Sequence, residues 1–284
     1  MTVDRPPQHV LTAFGLSGVD PDPLGPGWDG GWRSGEVVLS MVADHARAAW
    51  SAKVRETLFV DGVRLARPVR STDGRYVVSG WRADTFVAGT PEPRHDEVIS
   101  AAVRLHEATA KLERPRFLTQ APVVPWSDVD VFIAADRAAW EERPLHSLPS
   151  EARVAPGSAD GQRSVDLINQ LAELRRPTKS PNQLVHGDLY GTVLFAGTAA
   201  PGITDITPYW RPTSWAAGVA VVDALAWGDA DDGLIERWNA LPEWPQMLLR
   251  ALMFRLAVHA LHPRSTAAAF PGLARTAALV RLEL

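Results

Sequence analysis

The sequence predicts an α+β chain with a small antiparallel β-rich N-terminal lobe carrying one helix, followed by a larger, mostly helical lobe. Three observations carry this. Short β-branched runs separated by Gly-rich turns fill the first ninety residues. Amphipathic stretches of helical period follow Gly89-Thr90-Pro91. With 284 residues, 46% of them apolar, the chain is long enough to bury a sizeable core. The expected domains are therefore 1–90, a β-rich lobe, and 91–284, a helical lobe.

Glu36–Val42 is a short β-branched run in Gly-rich surroundings and reads as a strand. Ala43–Phe59 reads as a helix, with Asp44 near its start and Trp50, Val54 and Leu58 on one stripe. Strands follow around Arg67–Ser71 and Arg75–Trp81, joined by a turn at Asp73-Gly74. Beyond residue 90, Asp96–Leu112, Val129–Glu142 and Ser164–Arg175 have helical period, with Val98, Ala102, Leu105 and Thr109 on one face of the first. Leu145–Gly161, rich in Pro, Ser and Gly, reads as a loop. Gln183–Gly197 reads as strand–loop–strand and Gly202–Ile206 as a short strand, and from Ser214 the chain reads as helix.

Composition excludes several classes. A net charge of −4 supplies no broad basic field for nucleic acid. Absence of cysteine removes disulfides, thiolate zinc sites and cysteine nucleophiles, and fits a cytoplasmic protein. No apolar run reaches membrane-spanning length, and Met1–Leu11 lacks an apolar signal core. Lysine occurs only at Lys53, Lys111 and Lys179. The eleven tryptophans read as packing residues.

The sharpest local pattern is Val185-His186-Gly187-Asp188, continuing through Leu189 and Thr192 to Val193-Leu194-Phe195. An apolar strand enters, a short loop presents one His and one Asp, and an apolar strand leaves. A carboxylate so placed can orient a hydroxyl and accept its proton during phosphoryl transfer, or can simply cap a turn. Further on, Asp205 lies within Ile203-Thr204-Asp205-Ile206. A carboxylate among apolar neighbours needs a cation, a hydrogen-bond donor or a metal.

These residues give the chain a resemblance to the aminoglycoside phosphotransferase/choline kinase-like superfamily, with its bilobal protein-kinase-like fold. His186-Gly187-Asp188 with Asp205 looks like the catalytic and metal-binding pair. Leu105-His106 and Val222-Asp223-Ala224-Leu225 fall in the expected order. Segments such as Arg64–Pro68 and Pro208–Pro212 look closest to an actinobacterial branch with degenerate nucleotide-binding motifs. The resemblance implies Mg²⁺ with ATP or GTP, and an unknown small-molecule hydroxyl as acceptor. It makes Asp188 the base, Asp205 the metal ligand, and His186 a brace for the loop.

Two departures stand out. The place of the family's metal-binding Asn falls on Thr192 in a shortened loop, and Asn169, Asn182 and Asn239 lie elsewhere. The strand lysine that pairs with phosphates falls on Ser40, leaving Lys53 or Arg33 as candidate substitutes. Gly25-Pro26-Gly27-Trp28-Asp29-Gly30-Gly31 stands where a phosphate-covering loop belongs, with Gly27 and Gly30 as cofactor-binding candidates. It also matches G-x-G-x-x-G, but a strand rather than a helix follows, and Pro26 removes an N–H.

Removing one preorganised electrostatic group typically costs roughly 3–4 kcal/mol of transition-state stabilisation. The sequence thus leaves two readings: a small-molecule kinase of low or altered activity, or a pseudokinase that binds a ligand or a protein. A third, other chemistry with Asp188 as base, stays open. Trp210, Trp215 and the Asp128/Asp130 region are acceptor-pocket candidates. Arg94–Glu97 reads as a charged helix start, Asp229–Asp232 as a solvated turn, and His259 and His262 as lacking a third metal ligand.

Overall fold

In the computed structural model, which describes residues 4–122, 126–148 and 160–284, the strongest strand signal of the sequence forms the middle of an antiparallel sheet. The chain begins with α1 (Gln8–Ala13), β1 (Asp22–Pro23), a 3-10 turn at Pro26–Trp28, β2 (Trp32–Ser34) and β3 (Val37–Met41). There follow α2 (His45–Thr57), β4 (Arg64–Leu65), β5 (Pro68–Val69), β6 (Val77–Val78), β7 (Trp81–Thr85) and α3 (His95–Thr109). Helix α2 starts where Asp44 caps it, accepting from the backbone N–H of Ala46 (2.9 Å) and Arg47 (3.1 Å). The expected strand over Arg75–Trp81 is instead two: β6 turns back at Ser79-Gly80, both with positive φ, into β7.

The sheet order is β1-β2-β3-β7-β5, with β6 also paired to β7. Its register decides the chemistry. Val38 stands opposite Asp84 and Ser40 opposite Arg82, so these four share one face. Leu39, Ala83 and Trp81 occupy the other face, which packs with Val10, Leu11 and Phe14 of the first helical segment. Helix α1 was invisible as an element in the sequence because six residues give too short a period to read.

A second small sheet has the order β4-β10-β9, using β9 (Val193–Leu194) and β10 (Gly202–Ile203); β10 runs parallel to β4 and antiparallel to β9. A third pairs β8 (Gln183–His186) with β11 (Pro208–Arg211). The Gly89-Thr90-Pro91 segment is fixed to the end of β9. Thr90 and Phe195 exchange two backbone bonds, and Gly89 has φ +132°, where a Cβ would meet the Phe195 carbonyl oxygen at 2.5 Å.

Contacts group the chain into two compact units that do not divide at residue 90. One holds residues up to Phe117 together with Gln183–Trp210; the other holds Leu118–Asn182 and Arg211–Leu284. In the first, α3 packs on β8 through the expected face: Val98, Ala102, Leu105 and Thr109 are all buried, and the Thr109 hydroxyl donates to the Leu184 carbonyl at 2.9 Å.

The second unit is helical: α4 (Asp128–Ala139), α5 (Asp160–Ala172), α6 (Thr213–Trp227), α7 (Leu234–Arg237), α8 (Trp244–Leu261) and α9 (Phe270–Leu282). Helix α8 is apolar almost all round because α4, α5, α6 and α9 surround it. Its buried Arg255 is matched by Asp223 of α6 in a two-pronged pair at 2.7 and 2.5 Å. Of the loop expected over Leu145–Gly161, Leu145–Ser147 forms a 3-10 turn and residues 149–159 lie outside the described residues; α5 already begins at Asp160. Among the described residues, no helix is long and apolar enough to cross a membrane.

Candidate active site

Strand β8 delivers His186 to the loop, and the imidazole faces inward. It is 3% exposed, and burial holds its pKa below the ordinary value against the opposing pull of Asp188 and Asp205. Its Nδ1 accepts from the backbone N–H of Thr207 (3.2 Å) and, more loosely, of Asp188 (3.4 Å). That pattern fits the neutral tautomer with its proton on Nε2. The backbone N–H of His186 in turn donates to Nε2 of His106 on α3 at 3.0 Å. His106 is buried, and desolvation pushes its pKa down to about 3. Two neutral histidines therefore fix the backbone on which Asp188 sits. Gly187 is required there by close approach: a Cβ would lie 2.4 Å from the Tyr209 ring. The loop closes through Thr192, whose hydroxyl donates to the carbonyls of Asp188 (2.8 Å) and Leu189 (3.1 Å).

Asp205 lies just past β10 and is enclosed by cations and donors from elsewhere in the first unit. Its Oδ1 accepts from the Ser51 hydroxyl (2.5 Å) and the Ile206 N–H (2.7 Å), with Arg55 Nε at 3.5 Å. Its Oδ2 pairs with Nη1 of Arg82. Burial alone would raise the Asp205 pKa, but Arg82, Arg55 and the two donors overcome it and bring it down to about 2. The side chain keeps 31% of its surface open, so one edge can still meet a ligand.

The two arginines are themselves anchored. Arg55 on α2 is fully buried and donates to Asp84 Oδ1 (2.7 Å) and the Ala66 carbonyl (2.6 Å). Arg82 Nε stands 3.3 Å from Asp84 Oδ2. Asp205–Arg82–Asp84–Arg55 is thus a chain of alternating charge on the polar face of the sheet. Asp29, in the Gly-rich turn with φ 51°, joins the same field. Desolvation raises its pKa despite an exposed edge; Asp188 and Asp205 raise it further and Arg82 opposes them.

The glycine-rich segment approaches the same place. The Thr204 hydroxyl donates to the Gly27 carbonyl at 3.4 Å, and a Cβ on Gly27 would strike Leu194 at 2.5 Å. Gly30 takes positive φ in the turn into β2. Trp28, between them, is buried with Val38, Ala66, Val87 and Leu194 and stacks on Phe86.

The structure therefore gathers Asp188, His186, Asp205, Thr192, Gly27 and Ser40 in one unit, with Ser40 buried opposite Arg82. The two candidate phosphate cations belong to the same unit but have other surroundings. Arg33 lies over the Phe86 ring at 3.7 Å and bonds Gly35 and Glu36, while Lys53 is exposed on α2. The cations beside Asp205 are Arg82 and Arg55, which the sequence did not single out. A signal existed: Arg82 and Asp84 alternate on one face of an otherwise apolar strand, and Ser51 and Arg55 are one helical turn apart. Glu56 stays outside, bound to Arg70 and Tyr76 at the surface. Trp215 is a core residue against Phe254, and Asp130 caps α4 with Ser127.

The residues present do not fit a divalent cation. Mg²⁺ asks for several oxygen ligands in octahedral array. Both oxygens of Asp205 already have donors, and two guanidinium groups stand beside it. Among the described residues, no group of three or more acidic or histidine side chains could hold a metal ion.

A sheet with one inserted helix, a His-Gly-Asp loop between short strands and a helical second unit give the chain a fold similar to that of aminoglycoside phosphotransferases. The solved structures that match it bear this out. A microcompartment-associated aminopropanol kinase superposes with a TM-score of 0.60 at 18% identity, covering 96% of this chain and 94% of that one. An aminoglycoside phosphotransferase from Alicyclobacillus acidocaldarius gives 0.57 at 14% identity, covering 99% and 95%. A thermostable mutant of aminoglycoside phosphotransferase APH(4)-Ia, in ternary complex with AMP-PNP and hygromycin B, gives 0.55 at 15% identity, covering 96% and 97%. No protein-family model matches the chain, and no curated protein is similar to it in sequence. At these identities the likeness is one of fold.

Proposed function

We propose that this chain is a small-molecule kinase of low turnover, binding a nucleoside triphosphate such as ATP or GTP and passing its terminal phosphoryl group to a hydroxyl. The acceptor oxygen forms a bond to the γ-phosphorus, the bond from that phosphorus to the bridging oxygen breaks, and the nucleoside diphosphate departs. The acceptor's proton passes to the carboxylate of Asp188. His186 and His106 are positioning residues for that carboxylate. The β-rich residues 1–90 supply the nucleotide side and the later chain the acceptor side. The observation that carries the reading is the gathering of Asp188, Asp205 and a cationic side chain, Arg82, beside the glycine-rich turn. Neighbouring folds solved with AMP-PNP, ADP, hygromycin B and spectinomycin support it.

A second reading, a non-catalytic module for a ligand or a protein partner, is favoured by one feature: both oxygens of Asp205 are already engaged from within the protein. Calorimetric titration with ATP and GTP, followed by product analysis over a panel of amino alcohols, sugars and aminocyclitols, separates them. The kinase reading expects acceptor-dependent diphosphate release that falls by about 10²–10⁴ in Asp188→Asn, with the melting temperature unchanged. Nucleotide binding with no acceptor-dependent turnover, identical in wild type and Asp188→Asn, would leave the binding module. No binding at millimolar nucleotide would remove both nucleotide readings.

A further inference from the structure

The carboxylate that the fold class assigns to a metal is here built into an ion-pair network. Oδ1 of Asp205 takes two hydrogen bonds, from Ser51 and the Ile206 N–H, and Arg55 Nε stands behind it. A carboxylate oxygen offers two lone pairs, so this one has none left for a cation. Oδ2 is held by Arg82. Neither arginine can readily withdraw. Arg55 is fully buried and tied to Asp84 and the Ala66 carbonyl, and Arg82 is 8% exposed, with Nε against Asp84. Moving either would leave Asp84, itself 2% exposed, as a buried charge with one of its two partners gone. A divalent ion approaching Asp205 would also face two positive charges already in place.

We infer that Arg82 replaces the divalent cation: phosphate groups bind this site through its guanidinium, with Asp205 as the anchor of that guanidinium and not as a metal ligand. The inference rests on reading the site as one that handles phosphate. Its chemistry is that of a fixed fork. A guanidinium carries five N–H donors in a plane and can bond a carboxylate on one edge and a phosphate on another. The register of the sheet aims it: Arg82 stands opposite Ser40, on the strand position where the fold class carries a lysine. Ser40 is small enough to leave that space to the longer side chain from the neighbouring strand. The loss of the lysine and the loss of a metal-binding asparagine are then one change, since a guanidinium pinned on Asp205 supplies the charge and removes the ion's seat.

Two measurements on the full chain test this. The first titrates protein into Mn²⁺ and follows the spin-resonance signal of the free ion. Wild type and Asp205→Asn are both expected to leave the signal undiminished at millimolar protein and ion, whereas Arg82→Gln, which unseats the guanidinium, is expected to retain Mn²⁺. Retention by wild type that is lost in Asp205→Asn would overturn the inference, whether or not Arg82→Gln folds. The second measures ATP affinity by calorimetry in EDTA and in excess Mg²⁺. Equal affinity within about twofold, falling by about tenfold or more in Arg82→Gln and less in Arg82→Lys, is the expected result. Binding by wild type that requires Mg²⁺ would overturn the inference. Absence of ATP binding under both conditions would sink the phosphate-handling reading itself, and with it the role given to Arg82, while the Mn²⁺ signal would still report whether Asp205 can hold an ion.

Discussion

Replacing Asp84 by asparagine is expected to be among the most damaging single changes in the first unit, although no ligand touches that residue. Its side chain is 2% exposed and stands between two buried guanidinium groups, 2.7 Å from Arg55 and 3.3 Å from Arg82. Asparagine keeps the shape and removes the negative charge, so Arg55 and Arg82 are left facing one another with only Asp205 between them. Breaking a buried pair by removing one partner costs about 3–5 kcal/mol, because the other charge stays desolvated. That is a large share of the roughly 5–15 kcal/mol that keeps a domain folded. At about 2–4 °C per kcal/mol for a chain of this size class, the melting temperature should fall by about 6–20 °C. Scanning calorimetry on Asp84→Asn, with Glu56→Gln as the exposed control, measures it. A double replacement, Arg55→Met with Asp84→Leu, should recover much of the loss, since Arg82 keeps Asp205 and apolar groups fill the remaining volume. If Asp84→Asn melts within a degree or two of wild type, the network is not buried as described and the account of Arg82 fails with it.

Other consequences follow from the same geometry. Because burial depresses the pKa of His106 to about 3 and lowers that of His186 as well, the unfolded chain binds protons below pH 6.5 that the folded chain refuses. Stability is therefore complete above that pH and is lost as pH falls, His106 accounting for about 2 kcal/mol of that loss between pH 7 and pH 5. Urea midpoints at the two pH values check this, and His106→Gln should flatten the difference. Trp28→Ala should cost about 3–5 kcal/mol, because the indole is packed among Val38, Ala66, Val87 and Leu194. Trp28→Phe should cost much less, the indole N–H having no hydrogen-bond partner among the described residues. Denaturant unfolding of the two variants reads the contrast, and equal effects would show that ring packing is not what holds the turn.

Local chemistry determined a good part of this protein by itself. The β-branched run at β3, the Asp44 cap, the one-sided apolar face of α3 and the polar break at His186-Gly187-Asp188 are all short-range signals. Each formed close to where periodicity and turn chemistry put it. So did the α+β order, because apolar spacing of two or of nearly four residues is a property of the strand or helix alone. What the sequence could not decide was which charges meet. Ser51 and Asp205 are separated by 154 positions and are joined only when α2 and the end of β10 are brought to the same face of the sheet. Lys53 and Arg55 differ by two positions, a rotation of about 200° on a helix; the charge type favoured one, and the packing of α2 turned the other inward. The pairing of Arg82 with Ser40 depends on the register of β3 against β7, which one residue of slip would reverse. Only the tertiary structure, by setting that register and the packing of α2, brought Arg82 of the strand and Arg55 of the helix to the same carboxylate, Asp205.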